Sequence, residues 1–324
     1  MIPVLLGVTV ITFVISHLVP GDPARLLAGP HAPIEVVLAI RSKMGFDKPL
    51  YEQFYIYLSD LLHGDLGMSI TTRRPVLTDL LRFFPATLEL TLTAMVVSVA
   101  IGVPLGIASA TKQNTLPDHL SRVVALIGVA TPVFWSGLMV LLIFYYQLGI
   151  APGPGRLDVG VTTPHQITGL YLVDSILTAD WGAFTSALSH LVLPSIVLAF
   201  STLGMIVRMV RSSMLEVLRE DYIVLARAKG LPERAVIYKH ALKNALTSTI
   251  TLTGLIFGAL LSGTVLVEAI FSWPGIGRYA VTAIEYIDFA AVMGYTLIVT
   301  LIYLTVNLSV DVFYALIDPR VRLE

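Results

Sequence analysis

The chain has 324 residues, 56% of them hydrophobic and 13% charged, with a mean hydropathy of +0.82. That composition cannot cover a water-soluble globule with polar surface, so the chain reads as an integral membrane protein. The formal net charge of -1 hides charges that are segregated into patches, and the absence of cysteine excludes disulfides and thiolate metal or redox chemistry.

A bilayer crossing needs about 20 mostly apolar residues, and six stretches come near that length: Ile2–Leu18, Ala86–Ala110, Val123–Leu148, Ala187–Val207, Thr247–Val267 and Phe289–Val310. The first has no basic segment before it and no small-x-small site after it, which points to an uncleaved anchor and not a secretory signal. Its abrupt apolar beginning is what a truncated or misassigned start would give. Between the first two stretches, PIEVVLAIRSKMGF, PLYEQFYIYLSDLLHGD and RRPVLTDLLRFF have helical apolar spacing behind a proline, so residues 19–85 are expected to form short helices in a small external cap.

Lys112 and Arg122 flank the connection between the second and third spans, Arg208–Lys243 is basic, and Arg320 and Arg322 mark the tail. These segments are assigned to the cytoplasm by the enrichment of short inner loops in positive charge, which puts both termini inside. The connection with Arg156 against Asp158, Asp174 and Asp180 is assigned outside, as is the one with Arg278. No internal repeat or low-complexity linker appears, so residues 1–324 are treated as one membrane domain. No phosphate-cradling GxxxxGK loop, HExxH pair or GxSxG elbow is present, so catalysis has no sequence support.

The segment DYIVLARAKGLPERAVIYKHALKNAL is the most polar part of the second half. Asp221 reads as an N-cap, Gly230 as a left-handed helix end, and Pro232 and Glu233 as the start of a second helix running to Leu246. Ala226 and Ala228 are small enough to admit another surface. Two readings stand: a solvated hairpin whose charge fixes topology and touches anionic lipid, or a rigid helix pair that inserts into a groove of a cytoplasmic partner.

The run SSMLEVLREDYIVLARAKGLPERAVIYKHALKNAL resembles the EAA loop of ABC-importer permeases of the peptide and nickel branch. Further blocks agree in order: LVPGDPARLLAG, FDKPLYEQFYIYL, HGDLGMSITTRRPV, RMVRSSMLEVL, VEAIFSWPGIGRYAV and VDVFYALIDPRVR. The resemblance implies an all-α protein of six transmembrane helices with an extracytoplasmic helical cap and a cytoplasmic coupling loop over 211–246. It also implies a cell-membrane complex with a homologous second permease, two ATPase subunits and an extracytoplasmic substrate-binding protein. ATP and magnesium would then belong to the partner chains, with no cofactor, metal or nucleic acid on this one. Asp221, Tyr222, Ala226, Arg227, Ala228, Lys229, Gly230 and Leu231 take the coupling positions by that resemblance. Val224-Leu225-Ala226 stands where the family has Glu-Ala-Ala, which removes the acidic anchor.

Ionisable groups at membrane depth are functional candidates by default. Glu89 and Glu268 are read as bordering an outer mouth, where they meet a peptide ammonium while Arg278 faces a carboxylate. The competing reading makes each acid part of a fixed interhelical ion pair, or has it simply lie in the interface. Trp135, after Pro132, is a candidate lining residue of a kinked helix or a plain packing residue, and Asp311 a partner for Arg208 or Arg211 in an inner gate or a simple helix-end charge. His190 reads as an interfacial hydrogen-bonder, and the small residues at Gly102, Gly106, Gly254, Gly258 and Ser262 as close-packing seams. Uptake of short peptides, dipeptides first, is the leading function, with glutathione and nickel complexes as alternatives. An ion-coupled transporter or a membrane scaffold are the other classes.

Overall fold

The computed structural model describes residues 1–18, 23–29, 31–43 and 45–317. The Arg320 and Arg322 tail and part of the LVPGDPARLLAG block lie outside the described residues.

The described residues form helices and loops. In chain order the helices are α1 (Ile2–Leu18), α2 (Pro23–Ala28), α3 (Ile34–Lys43), α4 (Leu50–Leu62), α5 (Val76–Thr111), α6 (Leu116–Ala130) and α7 (Val133–Val140). They continue with α8 (Tyr171–Leu177), α9 (Trp181–Val217), α10 (Asp221–Ala228), α11 (Glu233–Ala235), α12 (Leu242–Gly263), α13 (Val265–Ile270), α14 (Ile276–Glu285) and α15 (Phe289–Ile317). Wider, π-helical turns extend α7 over Leu141–Gln147 and join α11 to α12 over Val236–Ala241.

By length and hydropathy, α5, α9 and α15 can each cross a membrane, and counting two bent pairs as single spans gives five crossings. The expected first span, α1, is shorter at 17 residues. The expected third span is not one rod: α6 and α7 meet at 101°. Pro132 causes this, because a residue before proline is pushed out of the helical region, and Thr131 adopts φ -85 and ψ 125. Two further boundaries differ from expectation. RRPVLTDLLRFF is no separate cap helix, since α5 runs unbroken through Pro85. Proline removes one ladder bond there without ending a helix that tertiary packing holds. Residues 211–217, expected in the cytoplasmic loop, are the last turns of α9. At 37 residues α9 is about 55 Å long, well beyond a hydrocarbon core of about 30 Å.

The core is α9 packed along α5, with α6 and α12 on its flanks. Missing side chains make this close approach possible. A Cβ on Gly102 would lie 2.8 Å from Ile206, and one on Gly106 2.6 Å from Val210. Gly128 and Gly204 press against the backbone oxygens of Phe200 and Ala125, so α6 and α9 touch backbone to backbone. Gly254 and Gly258 face Val310 and Val306 in the same way, packing α12 on α15. The small-residue seams therefore serve contacts within this chain. Outside this core, Phe13 of α1 packs against Phe54 and Tyr57 of α4, which seats α4 on the first helix.

Candidate coupling elbow and outer cluster

Helix α10 ends in a Schellman motif. Gly230 has φ +77, its amide donates to Arg227 O at 2.9 Å, and the Leu231 amide donates to Ala226 O at 3.3 Å. This is the left-handed end that glycine supplies without strain. Arg227 forks onto Glu233 across the turn, with Nη2 to Oε1 at 2.7 Å and Nε to Oε2 at 3.2 Å. That pairing raises the Arg227 pKa and lowers that of Glu233. Asn244 Nδ2 donates to Tyr222 Oη at 2.6 Å, so both ends of the elbow are tied.

Ile223 and Ala226 face inward and join the main core with Val236 and Ala241. Ala226 is thus small for the chain's own packing, and its methyl is not offered to a partner. Asp221 is also placed differently from expectation: Glu220 occupies the N-cap, without a side-chain cap bond, and Asp221 begins the helix. Its charge still suits the positive helix end. The outward face carries Tyr222, Val224, Leu225, Ala228, Lys229, Leu231 and, from the next segment, Tyr238. Apolar side chains are thus clustered and exposed on an otherwise polar elbow.

In the first half of α5 lies a buried polar cluster. Arg156 Nη2 meets Glu89 Oε2 at 2.5 Å and Gly169 O at 3.2 Å, and the Leu172 amide donates to Glu89 Oε1 at 2.7 Å. The Arg156 guanidinium lies 3.5 Å above the Tyr171 ring and 5.4 Å from that of Trp273. Glu268 accepts from Thr87 Oγ1 at 2.7 Å, Thr264 Oγ1 at 2.9 Å and the Arg278 amide at 3.0 Å. Trp273 Nε1 donates to Ala86 O at 2.8 Å, fixing the SWPGIG turn on α5. A Cβ on Gly275 would collide with Glu268 and Thr87.

Glu89 and Glu268 are both buried: Glu89 in an ion pair with Arg156, and Glu268 among hydroxyl and amide donors without a charged partner among the described residues. The Arg278 guanidinium is turned to Ser272 O at 2.7 Å. Trp135 is half exposed on α7. His190 Nδ1 donates to Ser186 O at 2.8 Å, and its Nε2 lies 3.8 Å from Asp158 Oδ1.

The inner-gate expectation is corrected. Arg211 pairs with Asp118, Nε to Oδ1 at 3.0 Å, and not with Asp311. Arg208 Nε donates to Gly204 O of its own helix at 3.2 Å, and Asp311 is exposed near the far end of α15. Arg156 and Asp118, which organise the two clusters, were not anticipated as site residues. A basic residue in an acidic loop and an acid in a helix's first turn both look like ordinary surface charges in sequence.

The long apolar helices, packed through glycine, define an integral membrane protein of helical class. The chain belongs to the family of binding-protein-dependent transport system inner membrane components, the permeases of ABC importers. That family matches residues 102–323, and its N-terminal companion matches residues 1–91. The chain is 53% identical to the probable D,D-dipeptide transport system permease protein DdpB of Escherichia coli K12, over 98% of this chain and 94% of the relative. It is 44% identical to the dipeptide transport system permease protein DppB of Alkalihalophilus pseudofirmus, over 99% and 96%. It is 39% identical to the glutathione transport system permease protein GsiC of Escherichia coli O6:H1, again over 99% and 96%. Among solved structures, an amino acid ABC transporter crystallised with histidines covers 82% of this chain at 15% identity, with a TM-score of 0.48.

Proposed function

We propose that this permease forms half of a translocation path for dipeptides. The observation that carries the substrate class is the agreement, over nearly the full length, with relatives named for dipeptide transport. The remaining subunits in this reading are a second, homologous permease, two ATPases that bind ATP and magnesium, and an extracytoplasmic binding protein seated on the cap. Both termini face the cytoplasm. Six crossings are reached by counting α1 and both bent pairs with the three long helices.

Coupling in this reading is mechanical. The face of Tyr222, Val224, Leu225 and Leu231 sits in a cleft of an ATPase subunit, with Arg227, Ala228 and Lys229 at its edge. Gly230 allows the chain to turn back without leaving the cleft. With no carboxylate at Val224, affinity comes from apolar burial, worth about 25 cal/mol per Å². The Glu89 and Glu268 clusters hold the outer ends of α5 and the SWPGIG turn together around the path, with Trp135 and Arg278 closer to the peptide.

The test is ATP-driven uptake of labelled alanyl-alanine, in L,L and D,D forms, by proteoliposomes holding the full complex with its binding protein. Uptake of either form at least about tenfold above a no-ATP control supports the reading. Uptake of glutathione in preference to both dipeptides would transfer the substrate class to the GsiC-like alternative.

A further inference from the structure

Asp118 lies in the first turn of α6 and is fully buried. Its Oδ1 accepts from Ser109 Oγ of α5 at 2.6 Å and from Arg211 Nε of α9 at 3.0 Å. Its Oδ2 accepts from the Asn114 amide in the α5–α6 turn at 3.0 Å and from Arg211 Nη2 at 3.3 Å. Arg211 Nε also reaches Ser109 Oγ at 3.1 Å, and Arg122, one turn along α6, stands 3.4 Å from the carboxylate. One carboxylate thus joins the end of α5, the turn after it, the start of α6 and the flank of α9.

Away from this carboxylate, α6 meets α9 through apolar and backbone contacts, while α5 also bonds to α9 through Ser98 Oγ, 3.1 Å from Ala199 O and 2.7 Å from Thr202 Oγ1. Gly102 and Gly106 meet Ile206 and Val210, while Gly128 and Gly204 lie on bare backbone. Smooth apolar and backbone contacts permit small sliding between packed helices, which a forked, charge-assisted pair resists. Arg211 is also well placed along the lever. It stands six residues, about 9 Å at helical rise, before the end of α9 at Val217, and only the short turn 218–220 separates that end from the elbow. On the other side, α6 carries Asp118 to the bend at Thr131 and Pro132, beyond which α7 holds Trp135.

We propose that Asp118 and Arg211 are positioning residues for transport: the pair fixes the register of α6 on α9, so that movement of the α10 elbow is delivered to the Pro132 bend. This rests on the reading of α10 as the element an ATPase subunit moves. Mere stabilisation makes a different prediction, because well-packed apolar side chains can replace a buried ion pair without loss of stability.

The experiment uses the complete complex. The chain has no cysteine, so Leu126→Cys on α6 and Glu216→Cys in the last turn of α9, both exposed, take two spin labels without background. The α6–α9 distance is then measured with and without ATP, beside uptake of alanyl-alanine per ATP hydrolysed. In the unmodified chain one narrow distance distribution persists in both states. In Asp118→Asn, and in the apolar pair Asp118→Leu with Arg211→Met, the distribution shifts or broadens with ATP, and uptake per ATP falls about tenfold. Arg211→Lys, which keeps charge and one donor, recovers part of the ratio. The proposal is overturned if the apolar pair keeps both the single distance and the normal ratio, or if it cannot assemble at all, which would make the pair a folding requirement. Absence of alanyl-alanine uptake by the unmodified complex overturns the substrate reading while the distance comparison still decides this one.

Discussion

Glu89 of α5 and Arg156 of the loop after α7 form an ion pair in which both side chains are more than nine-tenths buried. The pair is held from three sides by the Leu172 amide, Gly169 O and the Tyr171 ring. Removing one partner strands the other charge in a dry site, at a cost of about 3–5 kcal/mol. Glu89→Gln and Arg156→Met should each lower the thermal midpoint of the purified protein in detergent, and Glu89→Leu combined with Arg156→Met should recover much of the loss. Equal stability of Glu89→Gln and the unmodified chain would show the pair to be open to water.

Asp174 organises the loop that supplies Gly169 O to Arg156. Burial pushes its carboxyl up, but the Thr168 hydroxyl and the amides of Thr168, Gly169 and Ile167 outweigh that and hold it below the usual carboxylate range. A lowered folded value means the group contributes stability above its unfolded value of about 3.9, and that contribution is lost as pH falls through the folded value. Asp174→Asn should therefore cost about 1–3 kcal/mol at neutral pH, with the gap to the unmodified chain closing on acidification. Unfolding curves taken from neutral to strongly acid pH check this, and a gap that widened with acid would contradict it.

The glycine seams make opposite predictions at two positions. On Gly106 a new Cβ would fall 2.6 Å from Val210 and 3.1 Å from Val207 O, neither of which is a flexible chain end. Gly106→Ala should cost about 1–3 kcal/mol by overpacking. Gly263, also helical, has nothing within 4 Å of the same position, so Gly263→Ala should stabilise by about 0.5–1 kcal/mol through reduced backbone freedom in the unfolded chain. Thermal midpoints of the two variants moving the same way would refute the assignment of the seam.

How far the fold could be read in advance follows from how its helices end. The long apolar runs and the Pro–helix starts of the cap were visible because periodicity and proline act locally. Gly230 was visible for the same reason. Other helices end in the same Schellman geometry with residues that carry no such signal: Ala179 (φ 54), Ser272 (φ 49) and Ile287 (φ 54). In each the next residue is fastened elsewhere. Asp180 caps α9 at the Ala183 amide, Trp273 bonds Ala86 O, and Asp288 accepts from Ser69 Oγ at 2.6 Å. Left-handed geometry at such residues costs about 1–2 kcal/mol, which tertiary anchors offset and sequence pattern cannot reveal. The same holds for Arg156 and Asp118, whose partners lie 67 and 93 residues away.

Gly230 separates geometry from space at the elbow. A Cβ there meets nothing within 4 Å, so Gly230→Ala is opposed only by the left-handed backbone, at about 1–2 kcal/mol. The elbow keeps its Arg227–Glu233 clasp, and uptake should fall only modestly. Gly230→Pro is different in kind. Proline fixes φ near -65, against +77 here, and removes the amide that donates to Arg227 O. The turn must then open and tilt the face of Val224, Leu225 and Leu231 away from the helix that follows. Hydrogen exchange across residues 221–246 should rise sharply in the proline variant and little in the alanine variant. Uptake per ATP should follow that order in assembled complexes. If Gly230→Pro exchanges faster yet transports normally, rigidity of the elbow is not what coupling requires, and the docking face must act through α10 alone.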